Sequence, residues 1–291
     1  MSTATACAIK QEGGYDLHDV LEAERELMNR FSKDYRASSF ANSYFYRQER
    51  QRYIDWILQT LRQAGEDPAT LAFFNPGSSV GDLLEPLART GVNQLTGLDM
   101  AEKMLAECRR RVPSARLIQS TIEGYAAEPA SFDVVLTSFT LHHMFDPRAF
   151  FVLVDRCLKP GGWFFILDYN ARAWENARWS KPVVHGLVAP LRRLIKWKNR
   201  RALAREPHIQ FACNPAHRLL SYREILEAMS SPERYTVTRR TRGVFLPAFN
   251  YALFEESPVD RVLYRVLDRV DRIAEPFGAG NLQWIVGRRH A

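Results

Sequence analysis

Between Leu71 and Asp168 the chain repeats one unit, a short apolar run followed by a helix-length segment. The runs are Leu71–Asn75, Gln94–Asp99, Ala115–Ser120, Phe132–Ser138 and Gly162–Asp168, and helices are expected at Gly81–Arg89, Ala101–Arg111 and Arg148–Leu158. Runs of this length bounded by turn residues are strands, and parallel neighbours in a sheet need a crossover of helix size. A sheet connected in this way is covered on both faces, so its strands read as continuous apolar runs. Further strands at Tyr235–Arg240 and Leu282–Arg288 bring the count to seven. The expected class is therefore α/β, with a seven-stranded, mostly parallel sheet and helices on both faces.

The flanking segments set the domain organisation. Tyr15 to Arg30 and Tyr44 to Gln63 carry apolar residues at helical spacing, and Gly65 and Pro68 end the second helix, so residues 1–65 read as an N-terminal helical cap. A core at 66–170 follows. Residues 171–217 are too long for a simple connection and read as a basic helical lid, with Val183, Val184, Leu187, Val188, Leu191, Leu194 and Ile195 at helical spacing. Residues 218–243 return to the core, with Ser221 as helix cap and Glu224 at the capping-box position. A second helical insertion spans 244–280, amphipathic over Pro258 to Ala274 through Val262, Leu263, Val266, Leu267, Val270 and Ile273, and residues 281–291 hold the last core strand.

Charge is concentrated in the lid. Between Ala171 and Glu206 basic residues outnumber acids ten to two, so the net +7 of the chain sits there and the remainder is close to neutral. A solvated helix face and recognition of an acidic group both account for such a run. The four cysteines, Cys7, Cys108, Cys157 and Cys213, are widely spaced with no CxxC pair, which excludes a disulfide framework and a zinc ribbon. No metal is expected. No apolar run reaches about 18 residues, and the first residues lack the basic start and apolar stretch of a leader. The expected setting is cytoplasmic.

After the first strand, Asn75-Pro76-Gly77-Ser78-Ser79-Val80-Gly81 offers small residues that let a ligand approach the backbone. GxGxxG is absent and Asp82 follows at once, an acid expected to repel pyrophosphate at a helix start. Asp99 ends the second strand, where a carboxylate accepts hydrogen bonds from ribose hydroxyls. An uncharged loop with a ribose acid suits a nucleoside without phosphates and argues against a nicotinamide dehydrogenase.

Downstream, Ser131-Phe132-Asp133-Val134-Val135, Leu141-His142-His143, Arg156-Cys157-Leu158-Lys159-Pro160-Gly161-Gly162 and Asp168 stand in an order and spacing that resemble the class I S-adenosylmethionine-dependent methyltransferases. The resemblance is to the small-molecule branch, type 11/12-like, and covers Leu71 to Asp168. It implies a Rossmann-like fold and S-adenosyl-L-methionine as cofactor. It further implies that Gly77, Ser79 and Gly81 line the methionine part, that Asp99 holds the ribose and that Met100 covers the adenine. Asn75, Thr121, Ile122 and Ser138 belong to the same expected lining. The chain departs from the pattern at Asn75, where the family usually has an acid, at Ser79, usually Gly, and at Thr121, usually Asp. Asn75 still accepts a bond from an ammonium group and Thr121 offers a hydroxyl, with weaker cofactor binding expected.

His142 and His143 follow the fourth strand at the ligand edge of such sheets. Each is a candidate general base, His143 ahead of His142, against a packing role at the helix entry. From the N-terminal segment, Arg47 or Arg50 suits the cofactor carboxylate, and Tyr46 joins the lining. Tyr169, Trp174, Trp179, His185 and Trp197 are candidates for an acceptor pocket. The expected function is methyl transfer by in-line displacement to a small organic acceptor, amphiphilic or anionic, of natural-product or lipid-like kind. The basic lid is expected to be mobile and to meet that acceptor or an anionic membrane surface, and not nucleic acid. Oligomeric state stays open. Two alternatives remain, an RNA or protein methyltransferase using the basic insertion and a non-catalytic relative that only binds the cofactor.

Overall fold

The computed structural model describes residues 16–32, 35, 44–173, 186, 190, 193, 197, 218–243, 257–275 and 280–291. Seven strands form one sheet: β1 (Ala72–Pro76), β2 (Gln94–Asp99), β3 (Arg116–Gln119), β4 (Phe132–Ser138), β5 (Leu158–Tyr169), β6 (Tyr235–Arg242) and β7 (Leu282–Arg289). Their order is β3-β2-β1-β4-β5-β7-β6. Pairing is parallel from β3 through β5, and β7 runs antiparallel to both its neighbours, β5 and β6. The order reverses between β1 and β4, which opens a crevice at the carboxyl ends of those strands.

Alternation along the central strands divides the core in two. In β4, Val134 and Leu136 face one side and Val135 the other, and in β5 Phe165 and Leu167 oppose Phe164 and Ile166. The first side is covered by α2 (Tyr44–Gln63), α3 (Leu84–Arg89) and α7 (Pro258–Ala274), and the second by α5 (Arg148–Cys157) and α6 (Tyr222–Glu227). The two remaining helices, α1 (Leu17–Phe31) and α4 (Glu102–Arg111), pack against each other.

Local chemistry sets several element ends. Gly81 adopts φ +84°, a left-handed conformation that a helix cannot include, so the helix expected from Gly81 begins only at Leu84. Strand β5 starts four residues earlier than expected, at Leu158. Register with β4 jumps from Phe132↔Leu158 to Val134↔Trp163, so Lys159-Pro160-Gly161-Gly162 bulges outward. Lys159 Nζ donates to both oxygens of Asp133 at 2.9 Å across that bulge. The capping box of Ser221 and Glu224 forms as read from the sequence.

Among the described residues of 1–65, Tyr53, Ile54, Ile57 and Leu61 of α2 are fully buried against the sheet, so this helix forms a core layer, while α1 leans over the strand ends. The second insertion reads as an amphipathic helix with Val262, Leu263, Val266, Leu267, Val270 and Ile273 on one apolar face. Its described helix α7 instead lies against α2 with Leu263 and Leu267 inward and Val262, Val266, Val270 and Ile273 exposed. The face of α7 that carries its acids is the buried one. Asp268 accepts from both Arg52 nitrogens, Nη2 at 2.8 Å, and from Arg242 Nη2 at 3.2 Å. Arg242 also reaches Glu49 at 3.3 Å and Glu275 at 2.9 Å, and Tyr264 donates to Glu49 at 2.8 Å. The basic lid at 171–217 lies almost wholly outside the described residues. No described helix is long and apolar enough to cross a membrane.

Candidate functional site

A pocket opens where β1 and β4 diverge, and the loop after β1 forms its floor. Gly77 and Ser78 donate their N–H groups to the Leu98 carbonyl at 2.8 and 2.9 Å, which ties this loop to the end of β2. Gly77 has φ +74°, and a Cβ there would meet the Thr140 side chain at 2.5 Å, so both conformation and space call for glycine. Ser79 has φ +49°, a conformation that costs an L-residue about 1–2 kcal/mol. Its N–H donates to Asp99 Oδ2 at 2.8 Å, while Ala101 N–H donates to Oδ1 at 2.9 Å. These two bonds aim the Asp99 carboxylate into the pocket. Burial raises its pKa, against the lowering effect of the two backbone donors.

Asn75 is buried at the end of β1, with Nδ2 donating to the Leu136 carbonyl at 2.9 Å, which leaves the amide oxygen as its acceptor for a ligand. Thr137 Oγ1 donates to the Pro76 carbonyl at 3.0 Å and stands 2.7 Å from Thr140 Oγ1, locking the ends of β1 and β4 together. Beyond them Ser138 and Phe139 enter the wall, Phe139 with φ +54°. Met100, Thr121 and Ile122 form the opposite wall, and Thr121 Oγ1 accepts from Gly124 N–H at 2.9 Å.

The histidines sit on a short 3-10 turn, Leu141–His143, and both line the pocket. His142 is buried. Its Nδ1 lies 2.6 Å from Asp168 Oδ1, and its backbone N–H donates to Oδ2 at 3.2 Å. A carboxylate only accepts, so Nδ1 carries the proton. His143 Nδ1 lies 3.1 Å from Glu24 Oε1 of α1. Its ring packs on that of His142 with centroids 4.2 Å apart.

Asp82 corrects one inference from the sequence. It is not a bare acid at the start of a helix, for Tyr35 OH donates to it at 2.8 Å, Arg50 Nη1 at 2.5 Å and Arg111 Nη1 at 2.9 Å. Burial raises its pKa, but Arg50 and Arg111 outweigh burial and hold it below the usual carboxylate range. Its repulsion of an anion is largely cancelled by those two cations.

Of the expected site residues, Tyr46, Arg50, Asn75, Gly77, Ser79 and Asp99 line this one pocket, together with Met100, Thr121, Ile122, Ser138, His142 and His143. Gly81 does not. It turns toward α4, where a Cβ would meet Cys108 Sγ at 2.8 Å, so its glycine serves packing. Arg47 is exposed and outside the lining. Tyr169 stands behind the wall, its hydroxyl 2.7 Å from that of Tyr46. Trp197 is exposed, and Trp174, Trp179 and His185 lie outside the described residues. The reading missed α1 as a wall, where Val20, Leu21, Glu24 and Met28 line the pocket. A signal was present, since Glu24 falls four residues from both Val20 and Met28 and puts an acid on the apolar stripe of the helix.

A methyltransferase-domain family matches residues 74–166, a third of the chain. The ubiquinone biosynthesis O-methyltransferase of Cronobacter sakazakii is 37% identical over 108 residues, which are 35% of this chain and 44% of that protein. The chain thus spans less than half the length of that curated relative. Among solved structures, an S-adenosylmethionine-dependent methyltransferase from Thermotoga maritima overlays with a TM-score of 0.56 at 14% identity, covering 92% of this chain and 99% of that one. The phosphoethanolamine N-methyltransferase 2 of Haemonchus contortus gives 0.56 at 17%, covering 96% and 61%. At such identities the overlays speak for the fold alone. The sequence match and the fold agree, and both place residues 74–166 within a methyltransferase domain.

Proposed function

We propose that this protein transfers the methyl group of S-adenosylmethionine to a hydroxyl of a small amphiphilic acceptor. One observation carries the reading: a half-buried carboxylate, Asp99, and a carboxylate-bound imidazole, His142, line one pocket at the reversal of strand order. The donor set fits the cofactor. Asp99, with both oxygens already oriented by N–H groups, has acceptor capacity left for ribose hydroxyls, and Asn75 offers its amide oxygen to an ammonium. Arg50 supports a carboxylate while paired with Asp82, and Thr121 and Ile122 face the base. When bound, S-adenosylmethionine supplies a methyl group activated by its sulfonium.

The chain's own work is to hold an acceptor in line and take up its proton. His142 Nε2 is the base in this reading, with Asp168 fixing the tautomer, which reverses the order of preference given by the sequence. The apolar wall formed by Val20, Leu21, Met28, Phe139 and Met144 excludes water and suits a greasy acceptor. Similarity to ubiquinone biosynthesis O-methyltransferases supports oxygen as the methylated atom.

Calorimetry with S-adenosylhomocysteine tests the cofactor reading, and Asp99→Ala is expected to weaken binding at least tenfold through loss of charged hydrogen bonds worth about 1.5–3 kcal/mol each. Absence of heat at millimolar concentration, with a nicotinamide dinucleotide binding instead, overturns it.

A further inference from the structure

Helix α7 carries an apolar stripe that faces solvent. Val259, Val262, Val266, Val270 and Ile273 recur at helical spacing and are between 43% and 75% exposed. Along one edge of this stripe run Arg265 and Arg269, both exposed, and beyond them Arg272, which turns back to Asp268 at 3.0 Å. The three acids of the helix, Asp260, Asp268 and Asp271, are buried on the opposite side. The outward half of α7 thus presents aliphatic carbon and positive charge, and its carboxylates are withdrawn into the protein.

We infer that α7 is a docking surface for an anionic lipid bilayer. A helix lying in a membrane interface needs an apolar stripe to enter the acyl boundary and cations beside it to meet the headgroups. At 17 residues, α7 is roughly 25 Å long and can lie flat along such a surface. A second copy of the chain is a poorer occupant. Self-pairing about a two-fold axis brings the same patch to itself, setting Arg265 and Arg269 of one copy against the same arginines of the other with no exposed acid on the helix to receive them. The fold also relates this surface to the pocket. Helices α7 and α2 run side by side in the same direction, with Tyr264 against Tyr44 and Asp268 on Arg52, and the start of α2 delivers Tyr46 and Arg50 to the pocket. A bilayer under α7 therefore lies beside the pocket. The inference rests on α7 and not on methyl transfer.

Flotation of the full chain with lipid vesicles tests it. Vesicles of phosphatidylcholine containing about one third phosphatidylglycerol are expected to bind the protein, with loss at high salt, and pure phosphatidylcholine is not. Arg265→Gln with Arg269→Gln is expected to weaken binding on the order of tenfold. Val262→Gln with Val266→Gln is expected to abolish it, and both double variants should melt like the unmodified protein because these side chains are exposed. The proposal is overturned if the unmodified chain ignores the anionic vesicles. It is equally overturned if the valine variant binds them undiminished, which puts the contact elsewhere, or if the same valines control a concentration-dependent dimer.

Discussion

Burial pushes the Asp99 carboxyl above its ordinary pKa although two N–H groups favour its charge. A raised folded pKa means that the proton returns at a higher pH than for a free carboxylate, near 4. Protonation turns one acceptor oxygen into a donor and sets it against Ser79 or Ala101 N–H. Affinity for S-adenosylhomocysteine is therefore expected to fall on acidification while ordinary carboxylates are still charged, and Asp99→Asn is expected to bind weakly with no such dependence. Calorimetry from pH 8 down to about pH 5 checks this, and a flat profile for the unmodified protein rules it out. At His142, replacement by Asn is expected to leave cofactor binding intact and lower kcat about 10²–10⁴-fold, with Asp168→Asn acting in the same direction through the tautomer. If turnover is unchanged in His142→Asn and lost in His143→Asn, the base is His143. Single residues were legible where chemistry leaves few options: Asp99 at a strand end, Asn75, the paired histidines. Glu24 was not, because its partner His143 lies 119 residues away in sequence and the pair forms only when α1 folds over the strand ends.

At the scale of elements, strands read well because apolar runs buried on both faces have no competing interpretation, and β2 and β4 match the expected bounds to the residue. Helix orientation read poorly. Amphipathic spacing marks two faces on α7 without saying which is inward, and here the one carrying the acids is, because Asp268 and Glu49 meet Arg52, Arg242 and Tyr264 across the α2–α7 contact. Burying such a network is worthwhile only while every member is paired. Removing one partner leaves an uncompensated charge, so Arg242→Ala is expected to cost about 3–5 kcal/mol and to lower Tm by about 10 °C. A thermal melt decides it, and a shift of under about 2 °C would mean that the network contributes little. In the floor loop, Gly77→Ala is expected to destabilise by about 1–3 kcal/mol and to impair cofactor binding as well, since Thr140 must move.

For the molecule as a whole, Asp82 and Asp268 set a direction of pH dependence. Burial raises both, yet Arg50 and Arg111 at the first, and Arg52, Arg272 and Arg242 at the second, hold them below the ordinary range. Groups with depressed folded pKa values contribute stability that is complete above their unfolded values, near 4, and is lost as pH falls through the folded ones. Stability is thus expected to decline below about pH 4, and Asp82→Asn is expected to be less stable than the unmodified protein at pH 7, with the gap closing at pH 3. Urea titrations at the two pH values measure that gap. The position of β7 has a consequence for how the chain is made. Strands β1 to β5 emerge in one stretch of about a hundred residues and can pair as they appear, but β7, which must insert between β5 and β6, is synthesised 113 residues after β5 ends. Until then the β5 edge, with Phe164 and Ile166 on one face and Phe165 on the other, is a bare ladder of unpaired amides flanked by grease. The nascent protein therefore passes through a window in which its best-formed half is also its stickiest, and its yield in a cell depends on what shields that edge in the interval.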